Sequence, residues 1–125
     1  MPPQTEDVAR QIVDGALSVH RALGPGLLES VYEVCLCHEL HLRGIAFQSQ
    51  LPLPVVYKGM RLETEVRIDL MVEDCVLVEL KCVETMSPIF DAQLLTYLKL
   101  TGKRLGLLIN FNVPLLKNGI KRIVH

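Results

Sequence analysis

The chain has 125 residues, half of them hydrophobic, and a formal net charge of −1 at pH 7. This length suits one domain, residues 1–125, that can bury a real core. The hydrophobic content excludes a disordered chain. The near-neutral charge argues against a strongly basic, high-affinity DNA binder, but it permits an enzyme whose few basic residues gather around one cleft.

We expect a cytoplasmic protein without membrane association. No apolar run approaches the roughly 20 residues that a membrane span needs, and the first seven residues lack the regions of a signal peptide. Cys35 and Cys37 do not form a zinc half-site, because helical residues two apart point away from each other. All the cysteines are expected to be reduced thiols, at positions 35, 37, 75 and 82.

Two helices are predicted at the start of the chain. The first runs from about Thr5, a candidate N-cap, to Leu23, with apolar residues at helical spacing. The sequence Gly-Pro-Gly at 24–26 ends it. The second helix is predicted over 27–43 and is closed by Gly44.

Strands and one more helix are predicted in the rest of the chain. Residues 47–57 look extended, and Pro52 and Pro54 confine them to a sheet edge or a bulge. A turn at Lys58-Gly59 leads into a long strand that ends near Val72. The elements that follow are a strand over 75–83, a helix from Ser87-Pro88 to Gly102, a strand over 105–111 that is buried on both faces, a turn at 117–119 and a strand over 120–124.

Two acids and a lysine interrupt the apolar strands on either side of residue 74. Asp69 lies in the first strand, and Glu79 and Lys81 lie in the second. Unpaired buried charge is strongly disfavoured, so such residues need compensation. A divalent cation and a phosphate would supply it, and the pattern therefore predicts metal-assisted phosphodiester hydrolysis.

The length of the turn decides whether the two acids can meet. A two-residue loop would place Asp69 and Glu79 on opposite faces of the sheet, whereas a three-residue loop over 73–75 places them opposite each other. The three-residue loop also segregates the apolar pairs, so we predict that register. Its pairs are Val72 with Val76, Leu70 with Val78 and Ile68 with Leu80 on one face, and Met71 with Leu77, Asp69 with Glu79 and Arg67 with Lys81 on the other.

Two helices carry further polar candidates. Glu29, Tyr32 and Glu33 share one face of the second helix. Glu29 could simply complement the positive helix N-terminus, and we expect Glu33 to lie outside the site. Gln93 and Tyr97 stand one turn apart on the third helix, where they could equally be polar residues at the edge of a packed face.

The segment Gly26-x-x-Glu29-x-x-Tyr32 and its surroundings resemble the GxxExxY protein family. Further similar segments are His20–Glu33, Val78–Lys81, Gln93–Leu98 and Gly106–Asn112, so the resemblance covers nearly the whole chain. That family is assigned to the PD-(D/E)XK nuclease superfamily, which implies an α/β fold of the restriction-endonuclease type, with a mixed β-sheet core flanked by α-helices. One departure is Ile68, which stands where the superfamily name has proline.

The resemblance implies roles for the candidate residues. Asp69 and Glu79 would bind Mg²⁺ or Mn²⁺, joined by Glu29 and by the backbone carbonyl of Leu80, and Lys81 would orient the attacking water. Gln93 and Tyr97 would support the site. We expect substrate contacts from Arg67, Tyr97 and Tyr32.

The expected partner is nucleic acid, with DNA favoured over RNA, and a homodimer is compatible with the sequence. The alternatives are a nuclease-fold domain that binds nucleic acid or protein without cleaving it, and an obligate oligomer built on this fold. The intact acid-acid-lysine set favours the enzyme, because a binding module has no need of a lysine beside two metal ligands.

Overall fold

Three α-helices, seven strands and one short 3₁₀ helix (Leu116–Asn118) follow one another in residues 1–63 and 66–125, the part of the chain that the computed structural model describes. The helices are α1 (Pro3–Leu23), α2 (Glu29–Leu42) and α3 (Pro88–Thr101). The strands are β1 (Phe47–Pro52), β2 (Val55–Tyr57), β3 (Met60–Leu62), β4 (Arg67–Val72), β5 (Val76–Lys81), β6 (Leu105–Asn110) and β7 (Ile120–Val124).

Five of the strands form one mixed sheet in the order β1-β4-β5-β6-β7. The pair β5–β6 is parallel and is joined by α3, whereas the other neighbours are antiparallel. The predicted α/β fold, a mixed sheet flanked by helices, is therefore confirmed. So are the edge position of β1, where proline is tolerated, and the complete burial of β6. Among the described residues, strands β2 and β3 pair only with each other, as a separate hairpin.

Hydrophobic cores lie on both faces of the sheet. On one face α1 and α2 pack against the sheet through residues such as Ile12, Tyr32 and Leu36. On the other face α3 packs through Leu94 and Leu98. The sheet thus forms the middle layer, and its central strands are covered on both sides.

Three boundaries differ from those predicted. Helix α1 begins at Pro3, because proline is well suited to the first helical position, and Thr5 lies buried inside the helix rather than capping it. Helix α2 begins at Glu29 and not at residue 27. The extended segment 47–57 divides into β1 and β2, which belong to different sheets.

The long strand predicted before Val72 is also divided, into β3 and β4, and its middle falls on Thr64 and Glu65, outside the described residues. The four cysteines are free thiols, as predicted. Within the described residues, none of the helices combines the length and the apolar character required to cross a membrane.

Candidate active site

The β4–β5 hairpin fixes the relation between the two acids. Its pairs are Val72 with Val76, Met71 with Leu77 and Leu70 with Val78, joined by the loop 73–75. Glu73 and Asp74 turn the chain with positive φ angles of 50° and 54°. This is the predicted three-residue register, which places Asp69 opposite Glu79.

Beyond Leu70 the backbone ladder gives way to side-chain hydrogen bonds. The Leu80 N–H donates to Oδ2 of Asp69 at 2.8 Å, and the Asp69 N–H donates to Oε1 of Glu79 at 3.3 Å. The two carboxyl groups also hydrogen-bond each other. Asp69 and Glu79 are therefore cross-strand neighbours, as predicted, at a point where their carboxyl groups separate the strands.

The predicted placement of Ile68 is wrong, because the strands separate next to it. The predicted pairing put Ile68 on the face of Leu70 and Val72, but Ile68 packs instead in the core under α3, with Met71. Strict alternation of side chains requires a continuous strand ladder, and the carboxylate of Asp69 interrupts that ladder between residues 68 and 70.

Glu79 is the buried member of the pair, with 5 % of its surface exposed. Burial, and next the negative charge of Asp69, raise the pKa of Glu79 to about 9. At neutral pH the pair therefore holds one proton. A divalent cation would displace that proton and allow both carboxylates to ionise side by side.

Lys81 follows on the same strand, two residues after Glu79. Its ammonium lies 4.4 Å from the centroid of the Phe90 ring of α3, a cation–π contact that holds it on the α3 side of the sheet. Sequence reasoning gave Phe90 no such role. The positive charge of Lys81 counters part of the rise in the pKa of Glu79.

The two polar candidates of α3 contact each other. Gln93 lowers the pKa of the Tyr97 hydroxyl, and the Tyr97 ring is buried against the core under α3. Burial raises the pKa of the Tyr97 hydroxyl, and the charges of Glu79 and Asp69 raise it further. Tyr97 therefore stays a neutral hydrogen-bonding group within the electrostatic range of the acid pair.

On the α2 side, Asp69 opens into a cleft of about 290 Å³, which we call the acidic cleft. Its walls are Glu29, Ser30, Glu33, Gln50 and Asp69. Gln50 donates to Glu33 at 2.7 Å and to Asp69 at 3.3 Å, so it bridges the helix and the strand. The expectation that Glu33 lies outside the site is wrong. Glu33 follows Glu29 by four residues on α2, so both side chains lie on the side of the helix that lines the cleft.

The acids of the cleft influence one another. Partial desolvation raises the pKa of Glu29, and the charge of Asp69 raises it further. The pKa of Glu33 is raised by the same two causes, whereas its hydrogen bond from Gln50 lowers it. The cleft therefore concentrates negative charge, which a cation would relieve.

The structure contradicts the prediction that Tyr32 contacts substrate. Tyr32 is fully buried, and its ring stacks on Phe111 with a centroid distance of 4.5 Å. Its hydroxyl donates to the Gly24 carbonyl and accepts from the Leu27 N–H at 3.2 Å. Tyr32 thus fastens the loop that precedes α2, and through this loop it fixes where Glu29, the first residue of the helix, enters the cleft.

Asn110 is a second structural anchor, and sequence reasoning missed it. Its buried amide accepts from the Val83 N–H at 3.2 Å and donates to the Val83 carbonyl at 2.9 Å. The Phe111 N–H donates to the Lys81 carbonyl at 3.0 Å. These bonds hold the chain where it leaves β5, directly after Lys81. A polar residue within the apolar run 105–111 was the available signal.

The two remaining candidates are Arg67 and the backbone carbonyl of Leu80, which lie close to Asp69 and Glu79 in the chain. Arg67 is exposed at the start of β4, and its guanidinium donates to the Gln50 carbonyl at 3.3 Å. The N–H and C=O of one strand residue point toward the same neighbouring strand. The Leu80 carbonyl therefore faces β4, on the side of Asp69.

The donor chemistry of the pair suits a hard divalent cation, since carboxylate and carbonyl oxygens are the ligands that Mg²⁺ and Mn²⁺ prefer. Within residues 1–63 and 66–125, however, no three His, Cys, Asp or Glu side chains converge as one ligand group. The predicted three-acid set is thus not gathered. Asp69 and Glu79 are in contact, and Glu29 lies with Asp69 in the wall of the cleft.

Fold and site together define a nuclease-like α/β domain, with two acids and a lysine where two strands of a mixed sheet separate. A family model described as the PD-(D/E)XK nuclease superfamily matches residues 6–123, and the chain belongs to that superfamily. Searches of the curated proteins and of the solved structures found no match.

Proposed function

We propose that the protein is a metal-dependent nuclease that hydrolyses phosphodiester bonds of nucleic acid, with DNA favoured over RNA. The observation that carries this proposal is the contact between Asp69 and Glu79, two carboxyl groups that replace the backbone ladder where β4 and β5 separate. Lys81 follows on the same strand. Membership of the superfamily supports the same activity.

Asp69, Glu79 and the Leu80 carbonyl would hold the Mg²⁺ or Mn²⁺ ion. When bound, such an ion neutralises charge on the phosphate and lowers the pKa of water. Glu79 would release the proton that it holds at neutral pH. Glu29 would face the ion from the wall of the acidic cleft, at the N-terminus of α2.

The cationic and aromatic residues would act on the substrate. Lys81, held against Phe90, would orient the attacking water and contact the scissile phosphate. Arg67 would hold a neighbouring phosphate from its exposed position on β4. Tyr97, kept neutral by its raised pKa, would donate a hydrogen bond toward the site, and Gln93 would orient its hydroxyl.

A binding module without catalysis is the second candidate. It is favoured by one observation, the lack of a gathered three-acid ligand group within the described parts of the chain. A nuclease needs the acids to close on an ion, whereas a binding module does not.

A cleavage assay separates the two candidates. The purified protein is incubated with single- and double-stranded DNA and RNA in Mg²⁺, in Mn²⁺ and in EDTA, beside Glu79→Ala and an exposed-acid control, Glu84→Ala. We expect cleavage in at least one metal, none in EDTA, loss with Glu79→Ala and retention with Glu84→Ala. Absence of cleavage in every condition would favour the binding module, and equal cleavage by Glu79→Ala would reveal a contaminant.

A further inference from the structure

The β2–β3 hairpin is a small sheet of its own, which lies between β1 and β4 in the chain. Val55 pairs with Leu62, Val56 with Arg61 and Tyr57 with Met60. Lys58 and Gly59 form the turn, with φ angles of 47° and 82°. Positive φ at both central residues is the geometry of a tight hairpin turn that usually takes asparagine or glycine, so a lysine there is unusual.

One face of the hairpin exposes apolar groups. Side chains alternate along a strand, so Tyr57, Met60 and Leu62 share a face. Their exposed fractions are 59 %, 56 % and 39 %. An isolated two-stranded hairpin gains little stability from such residues, and contiguous exposed apolar surface is typical of an interaction site.

The charges of the hairpin select the kind of partner. The residues from Val55 to Leu62 include Lys58 and Arg61 and no acid, although the whole chain has a net charge of −1. The Lys58 ammonium lies 5.5 Å from the centroid of the Tyr57 ring. Arg61 pairs with Val56 and so lies on the opposite face of the hairpin. An exposed aromatic ring beside a cation matches the two parts of a nucleotide, because the ring can stack on a base while the cation contacts phosphate.

The hairpin extends from the end of the sheet that carries the acids. The β1–β4 pairing ends with Pro52 and Arg67, and the Leu53 N–H then donates to the Val66 carbonyl at 2.9 Å. Arg67 is two residues from Asp69, a separation of about 7 Å along a strand. A strand of nucleic acid on the hairpin would therefore lie at the end of the sheet where β4 carries Asp69.

We propose that the β2–β3 hairpin binds single-stranded nucleic acid, by stacking an unpaired base on Tyr57 and contacting a phosphate through Lys58. This inference rests on the proposed nuclease function and names its substrate class. Stacking on a side chain requires a base that is not already stacked in a duplex. The preferred substrate is thus a single strand or an unpaired end.

The test measures binding of the full-length protein to a fluorescein-labelled 20-nucleotide thymidine strand by anisotropy in EDTA, where cleavage cannot occur. Tyr57→Ala should weaken binding about 5- to 100-fold, whereas Tyr57→Phe should retain it. Lys58→Ala should lower the slope of log affinity against log salt concentration by about 0.7, the value for one lost phosphate contact on a single strand. A 20-base-pair duplex should respond less to Tyr57→Ala than the single strand does.

The matched control is Arg104→Ala, which removes one exposed cation near the other end of the sheet. Equal losses of binding in Lys58→Ala and Arg104→Ala, or unchanged binding by Tyr57→Ala, would overturn the proposal and leave a protein partner as the occupant of the hairpin. The nuclease proposal is judged separately. If Tyr57→Ala cleaves nucleic acid with an unchanged KM, only the proposed binding role of the hairpin is overturned. If Tyr57→Ala weakens binding but the wild-type protein cleaves nothing, only the proposed nuclease function is overturned.

Discussion

Replacing Glu79 with glutamine should change how the stability of the metal-free protein depends on pH. Burial and the charge of Asp69 raise the pKa of Glu79 from its ordinary value of 4.5 to about 9 in the folded state. Between these values the folded protein keeps a proton that the unfolded chain releases. Wild-type stability should therefore fall as the pH rises from about 4.5 to about 9.

The expected size of the effect follows from the linkage relation. Within this window each pH unit corresponds to about 1.4 kcal/mol for one proton. From pH 5.5 to pH 7.5 the wild type should lose about 2.7 kcal/mol of unfolding free energy relative to Glu79→Gln. Glutamine cannot ionise, yet its amide can still donate to Asp69, so the variant should lose only the pH-dependent part.

Urea denaturation in EDTA at pH 5.5, 6.5 and 7.5 measures this difference. Glu84→Gln is the control, because it removes one exposed acid just after β5. Its stability should run parallel to that of the wild type. If the unfolding free energy of Glu79→Gln falls with pH as steeply as that of the wild type, then Glu79 does not hold the extra proton. The proposed repulsion between the two carboxylates is then refuted.

Three further predictions concern the metal, the loop and the packing. Mg²⁺ or Mn²⁺ should raise the melting temperature of the wild type by mass action. Asp69→Asn should abolish most of this rise while leaving the metal-free melting temperature unchanged or higher. Identical responses of the wild type and the variant to metal would exclude Asp69 as a ligand. Tyr32→Phe should cost about 1–3 kcal/mol in urea denaturation, since it removes the hydrogen bonds to Gly24 and Leu27, and an unchanged stability would contradict the anchoring role. Gly106→Ala should cost about 1–3 kcal/mol, because a Cβ there would meet the Leu94 side chain at 2.9 Å; a neutral effect in the same assay would show that α3 can shift.

Much of the fold could be predicted because the sequence pattern was strongly constrained. The apolar alternation in β4 and β5 allows only one register that segregates the apolar pairs, and the structure has that register from Leu70 to Val72. The buried run of β6 and the prolines of β1 likewise defined their places in the sheet. These features depend on local periodicity, which sequence carries directly.

The parts that could not be predicted depend on contacts between distant residues. The shift of Ile68 follows from a hydrogen bond between Asp69 and the backbone of Leu80. The bridge that Gln50 forms to Glu33 joins residues 17 apart. A local pattern contains neither contact, which is why it places Glu33 outside the cleft that Glu33 lines.

Tyr32 illustrates how a recognised motif can suggest the wrong role. The Gly-x-x-Glu-x-x-Tyr segment indicated a functional cluster, and Tyr32 was therefore expected to contact substrate. The structure instead gives Gly26 a φ angle of 101° and binds the Tyr32 hydroxyl to the same loop. The glycine and the tyrosine position the chain, and the glutamate is left facing the cleft.

The central claim is that Asp69 and Glu79 hold a divalent cation at which Lys81 promotes phosphodiester cleavage. Cleavage rate and Mn²⁺ affinity, measured on the same preparations of wild type and Lys81→Ala, test it most directly. The account predicts that Lys81→Ala binds Mn²⁺ nearly as well as the wild type while its cleavage falls by about 10² to 10⁴. Cleavage by Lys81→Ala at the wild-type rate, or absence of any cleavage by the wild type, would contradict it.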